Sequence, residues 1–280
     1  ARRPMTTEAT SKSRTIEWED VRLPPWLIGT IGGVGLIAFW WIISAVWVSS
    51  TGAHPIPSPP EVIGAYIASG WDFFARNFTV TLAEAGIGYL WGNGLALLMS
   101  GIVLIVPRLE GVAMQVAILT YCVPIVAIGM LAVVLIPPPA VGEPSGTAIL
   151  LAALSCFFTT VVGALLGLKS ADKTSLDLIT VYGGSKFTQL FKVRLIAALP
   201  AILNALKIAV PAAFLGAVLG EFFGKIEVGV GLAMVLAQQA SDAPLVWALA
   251  LASGAVSLAG FGIVGIAARV VAPWSKGSAS

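Results

Sequence analysis

The chain has 280 residues, 58% of them hydrophobic and only 11% charged, with a mean hydropathy of +0.93. A soluble domain this long needs more charge to cover its surface, so the composition selects the membrane class. The net charge of +2 gives nucleic-acid binding no electrostatic support, and a single histidine, His54, excludes a histidine-built metal cluster.

Charge-free apolar runs locate the spans. A charge at mid-bilayer costs about 2.5–3.5 kcal/mol, and about 20 apolar residues cross the hydrocarbon core. Residues 1–25 form a basic N-terminal segment, and the first span follows at 26–48, too long for the apolar region of a secretory signal. The next connection opens Pro-rich (His54-Pro-Ile-Pro-Ser-Pro-Pro60). Glu61 then stands where a helix would start, so a short interfacial helix is predicted to about Arg76, with Trp71, Phe73 and Phe74 suited to the interface. His54 is read as solvated.

The second span is 78–106, interrupted only by Glu84, and the third is 111–136, kinked at Pro124. Pro137-Pro-Pro139 and Gly142-Glu-Pro144 make a stiff turn before the fourth span, 146–168. The fifth, 196–220, carries Lys207. Gly224, Gly229 and Gly231 interrupt 221–242, which reads as a half-inserted, broken element, and the sixth span is 243–268. The expected organisation is an all-α polytopic domain over 26–268 with a tail at 269–280. Cys122 and Cys156 fall in apolar runs and read as small hydrophobes in packed helices. Glycine pairs four apart (Gly29/Gly33, Gly88/Gly92, Gly163/Gly167, Gly216/Gly220) are predicted to allow close helix contact.

Six spans put both termini on one side. Thirteen of the sixteen Lys and Arg residues lie on that side: five within 1–22, Arg108, five within 169–195, and Arg269 with Lys276. Only Arg76 and Lys225 lie opposite, and Lys207 is in a span. The positive-inside rule therefore predicts cytoplasmic termini and a cytoplasmic 169–195 loop. That loop reads as two short helices around Gly183-Gly184. Ser170 or Asp172 can cap the first and Ser185 the second, and Phe187, Leu190, Phe191 and Arg194 recur on one helical face. Such a face must dock on the bilayer, on its own bundle or on a partner.

The stretch Asp177-Leu-Ile-Thr-Val-Tyr-Gly183, followed by Gly184-Ser-Lys-Phe187 and by Ala198-Leu199-Pro200, resembles the EAA loop of ABC importer permeases. That pattern has an acidic residue, a glycine six positions on, and a Leu-Pro at the start of the next span. Gly-x-Ser with Val193-x-Leu195 is most similar to the nitrate/sulfonate/taurine branch, as are Leu206-Lys-Ile-Ala209, Gly220-Glu221, Gly229-x-Gly231-Leu and Pro57-Ser-Pro59 with Glu61-Val62. Departures are Asp177 for the usual Glu, Leu178-Ile179 for two alanines, Ile196 where a proline is common, and Glu84 where a basic residue is frequent.

The resemblance implies the type I ABC importer permease fold in a bacterial inner membrane, serving a small, anionic organic or nitrate/sulfonate-like solute. It also implies the partners: a second permease chain, identical or paralogous, two ABC ATPase subunits, an extracytoplasmic substrate-binding protein and membrane lipid, with no nucleic acid. No cofactor is expected in this chain, and ATP and Mg belong to the partner ATPase. Asp177, Tyr182, Gly183, Gly184, Ser185 and Phe187 would contact that ATPase. Glu84 and Lys207, charges inside predicted spans, are candidates for the translocation path, or else snorkel from near a span end, and Glu221 is a candidate for the outward gate. Gly163-Ala-Leu-Leu-Gly167-Leu-Lys169-Ser170 has the wrong spacing for a phosphate loop, so the chain is not expected to be an enzyme. An ion-coupled secondary transporter is the alternative reading. An intramembrane enzyme would need a constellation of His, Asp or Ser-Lys that the spans lack.

Overall fold

A computed structural model describes residues 24–47, 55–224 and 226–274. The basic segment 1–22, His54, Lys225 and Lys276 lie outside the described residues. Within them the chain is helical and contains no strand, as a bilayer without water to satisfy an open sheet edge requires.

Helix α1 (Pro25–Val46) begins at a proline, whose missing N–H is no loss in a first turn. Helix α2 (Pro59–Ile105) opens with a capping box in which Ser58 N donates to Glu61 Oε2 at 2.6 Å. Gly70, at φ 73°, breaks α2 into an initial segment and a long span, so the predicted interfacial helix ends there, six residues before Arg76. A turn of 3-10 helix leads into α3 (Glu110–Cys122), and α4 (Ile125–Leu135) follows at an angle of 84°. Pro124 removes a backbone donor at this corner, and the predicted kink is a near right-angle turn. Cys122, at the end of α3, is exposed rather than packed.

Helix α5 (Gly146–Lys169) is the fourth span. Two short helices, α6 (Lys173–Val181) and α7 (Lys186–Gln189), form the loop, and a π-turn over Leu190–Arg194 joins α7 to α8 (Leu195–Phe223). Helix α8 includes Glu221, which the hydropathy pattern assigned to the following connection. After the break comes α9 (Val230–Gln239), too short to cross a bilayer, and then α10 (Ala243–Val271), which extends three residues past the predicted span. Among the described residues five helices are long and apolar enough to span, or six when α3 and α4 count as one broken span.

The centre is α2, α5 and α8, with α5 against α8 the most extensive pairing. Small residues make it close: a methyl on Gly220 would lie 2.9 Å from Ala148 N, and one on Gly167 would lie 2.9 Å from Ala198 O. Gly88/Gly92 serve α2 against α5 in the same way. Gly29/Gly33 on α1 do not, since among the described residues no other element comes within 4 Å of a methyl placed on either. An aromatic run of Tyr66, Phe74, Phe78 and Phe214, with successive centroids 4.8, 6.4 and 6.3 Å apart, fills the space between α2 and α8. Helices α1 and α10 turn large apolar side chains outward along most of their length, the expected face toward lipid or another chain.

Candidate functional site

The 169–195 loop is held in shape by its own backbone. Asp172 caps α6, its carboxylate accepting from Ser175 N at 3.2 Å. At the other end Gly184 N donates to Ile179 O at 2.8 Å and Gly183 N to Thr180 O at 3.0 Å, the paired bonds of a Schellman stop. Gly183 sits at φ 75°, where a side chain is strained, and a methyl on Gly184 would press on Ile179 O at 2.9 Å. Ser185 then caps α7, accepting from Thr188 N at 3.3 Å. Gln189 Nε2 ties α7 back to α6 through Leu176 O (3.0 Å) and Thr180 Oγ1 (2.7 Å).

The consequence is a rigid tip that presents apolar groups. Leu178, Val181, Tyr182, Phe187 and Phe191 are all exposed, Tyr182 to 83%, while Leu190 on the same short stretch is buried. Phe187 and Phe191 stack at 6.1 Å. Asp177, Gly183 and Ser185 are exposed around them. The six residues singled out in the loop therefore lie on one compact unit. Its base is fastened to the bundle: Ser170 Oγ donates to Gly167 O (2.7 Å) and Ala197 O (3.1 Å), and Lys169 pairs with Glu110 at 2.5 Å.

A second cluster lies inside the bundle. Helix α9 has no cap of its own, because Gly229 precedes it. Its first three amides are met by side chains from elsewhere: Gly229 N donates to Asn77 Oδ1 (3.0 Å), Val230 N to Thr81 Oγ1 (3.0 Å) and Gly231 N to Glu221 Oε2 (2.6 Å). Thr81 Oγ1 in turn donates to Glu221 Oε1 at 2.5 Å. A carboxylate at a helix N-terminus also meets the positive end of the helix dipole. The approach is close enough that a methyl on Gly229 would lie 2.6 Å from the Glu221 carboxyl carbon. Glu84 sits one turn from Thr81, fully buried, with Oε1 accepting from Ser145 N at 2.6 Å at the start of α5. Glu84 and Glu221 are thus neighbours in one buried cluster. Asn77 and Thr81 were not singled out in the sequence, although with Glu84 they recur at i, i+4 and i+7, one face of α2.

Lys207 is elsewhere. It lies twelve residues into α8, about 18 Å along the axis and near the middle of that helix. Its Nζ stands 4.1 Å above the Phe261 ring of α10, and it pairs with no carboxylate among the described residues. Lower in the bundle Thr160 Oγ1 donates to Asn93 Oδ1, and Tyr89 OH donates to Leu206 O at 3.1 Å, polar links between helices that would otherwise be unsatisfied in lipid.

Comparison with known proteins agrees with this architecture. The family model for the binding-protein-dependent transport system inner membrane component matches residues 92–275. A probable ABC transporter permease protein of Haemophilus influenzae is 28% identical over 222 residues, 78% of this chain and 88% of that one. The formylaminopyrimidine transport permease protein ThiX of Halalkalibacterium halodurans is 25% identical over 84% of this chain and 91% of its own. The putative aliphatic sulfonates transport permease protein SsuC of Bacillus subtilis is 28% identical, covering 87% and 88% respectively.

Proposed function

The chain belongs to the family of binding-protein-dependent transport system inner membrane components, as an ABC importer permease, and from that premise we propose how it works. Two permease chains pair in a bacterial inner membrane and form the path for a small solute delivered by an extracytoplasmic binding protein. Two ATPase subunits, which hold the ATP and Mg, dock beneath. Each ATPase receives the tip of one 169–195 loop, with Tyr182 and Phe187 entering an apolar cleft and Gly183 allowing the turn between them.

The observation that carries this reading is the exposed aromatic tip on a compact unit held by its own hydrogen bonds. Tyr182 at 83% and Phe187 at 64% exposure are held outward by a Schellman stop and two caps rather than folded onto the bundle. Ordered apolar groups that face water at a helix junction are the material of an interface centre. When the ATPases close on ATP they move these tips, and the bundle passes between inward- and outward-facing arrangements.

For the solute, the relatives' names span a sulfonate and a formylaminopyrimidine, so the shared chemistry is a small polar organic molecule, with an anion favoured by Lys207, which pairs with no carboxylate among the described residues. A pull-down from membranes co-expressing the chain with its genomic ATPase neighbour tests the docking. Wild type and Tyr182→Ala are compared with Gly183→Trp and Phe187→Asp. Retention by wild type, weakening by Tyr182→Ala and loss in the last two, with all four chains inserted, supports it. Equal retention by all four overturns it.

A further inference from the structure

The two buried carboxyl groups are not equivalent. Both Glu221 oxygens have donors, Thr81 Oγ1 at 2.5 Å and Gly231 N at 2.6 Å. Glu84 has one: Oε1 accepts from Ser145 N, while Oε2 is buried with no hydrogen-bond partner among the described residues. Glu84 and Glu221 are 0% and 1% exposed, and neither forms an ion pair with a described cation. The other groups that meet the cluster, the side chains of Asn77 and Thr81 and the backbone amide of Ser145, carry no charge.

Two bare carboxylates side by side in such a place repel, and a buried charge without a counter-charge is among the most costly arrangements a protein can hold. One proton removes both problems. It neutralises one acid and turns the orphaned oxygen into a donor, with the neighbouring carboxylate as acceptor. The proton belongs on Glu84, because Glu221 already receives two donors and caps a helix N-terminus, which favours its anion.

We propose that Glu84 is a neutral carboxylic acid whose Oε2–H donates to Glu221, making it the positioning residue for the carboxylate that fastens α9 to α2 and α8. The role is local to the cluster and independent of whether the 169–195 loop docks an ATPase.

Infrared spectroscopy of the full chain in lipid nanodiscs, with glutamate carbon-13 labelled, tests the protonation directly. A protonated-carboxyl C=O band is expected in wild type, insensitive to added sodium or potassium and missing in Glu84→Gln. Hydrogen exchange over 229–239 tests the positioning. Glu84→Gln keeps a side-chain donor and retains wild-type protection, whereas Glu84→Ala loses about tenfold, the factor one buried hydrogen bond carries. Lys225→Met leaves both readouts unchanged. The proposal is overturned if wild type shows no protonated band, if Glu84→Gln exchanges as fast as Glu84→Ala, or if Lys225→Met or alkali cation alters the pair, since then an ammonium or a bound cation balances the charge.

Discussion

Replacing Thr81 by valine keeps the size and shape of the side chain and deletes a single hydroxyl. That hydroxyl serves two partners on other elements, as acceptor for Val230 N at 3.0 Å and donor to Glu221 Oε1 at 2.5 Å, with Asn77 O of its own helix also in reach at 3.1 Å. An orphaned buried donor costs about 1–3 kcal/mol, whereas hydrogen bonds between helices in a bilayer average nearer ~0.6 kcal/mol. For two bonds sharing one group about 2 kcal/mol is expected, and at ~1.4 kcal/mol per decade this is roughly 30-fold in the docking equilibrium of α9. Hydrogen exchange by mass spectrometry on the nanodisc-embedded chain reads it, since amides that exchange through local opening accelerate by the change in the opening constant. Peptides covering 229–239 should exchange roughly 30-fold faster in Thr81→Val, with the α5 and α8 peptides unchanged. Thr79→Val is the control, because Thr79 is exposed and bonds only within its own helix, to Ala75 O. An acceleration below about threefold in Thr81→Val, under ~0.7 kcal/mol, would refute the idea that α9 is held by side chains borrowed from its neighbours.

Other substitutions probe the packing and the loop. Gly220→Leu drives a side chain into the Ala148 backbone of α5 and should lower the thermal stability of the detergent-solubilised protein by about 1–3 kcal/mol, whereas Gly254→Ala, with open space around it, should be neutral in the same melt. Asp172→Ala removes the cap of α6 at a cost of about 0.5–2 kcal/mol, seen as faster exchange over 173–181 without a change in the spans. Phe187→Ala, at an exposed position, should leave the melting temperature unchanged while weakening ATPase retention in the pull-down. Lys207→Met should fold and insert normally but lower uptake of an anionic solute, and unaltered uptake would remove Lys207 from the path.

Much of the architecture was legible because it follows from local chemistry. Charge-free runs must be spans, Pro124 must bend its helix, and Asp172, Ser185 and Gly183-Gly184 punctuate the loop through bonds made within a few residues. What escaped depends on contacts far apart in the chain. Glu84 and Lys207 look alike in sequence, single charges in apolar runs, yet one is fully buried against the start of α5 and the other lies over an aromatic ring. The polar face of Asn77, Thr81 and Glu84 is visible by spacing, but its purpose is set by amides 61 to 152 residues later. The pair Gly29/Gly33 shows the converse: small residues permit close approach without saying what approaches.

The seam between α5 and α8 has only small side chains, of Ala148, Ser155, Ala201 and Ala205, facing its glycines. Backbone rests on backbone at Gly167, Gly216 and Gly220, Gly163 meets the Ala205 methyl, and the pair is laced together again beside the loop by Ser170. Sliding one helix past the other would make Cβ atoms climb over carbonyls, so the two turn together as a lever. Helix α8 has 29 residues, about 43 Å from end to end, and a tilt of ~5° imposed at its loop end displaces the other end by roughly 4 Å. Glu221 rides on that far end, so a small push at the loop arrives, magnified, where α9 is fastened.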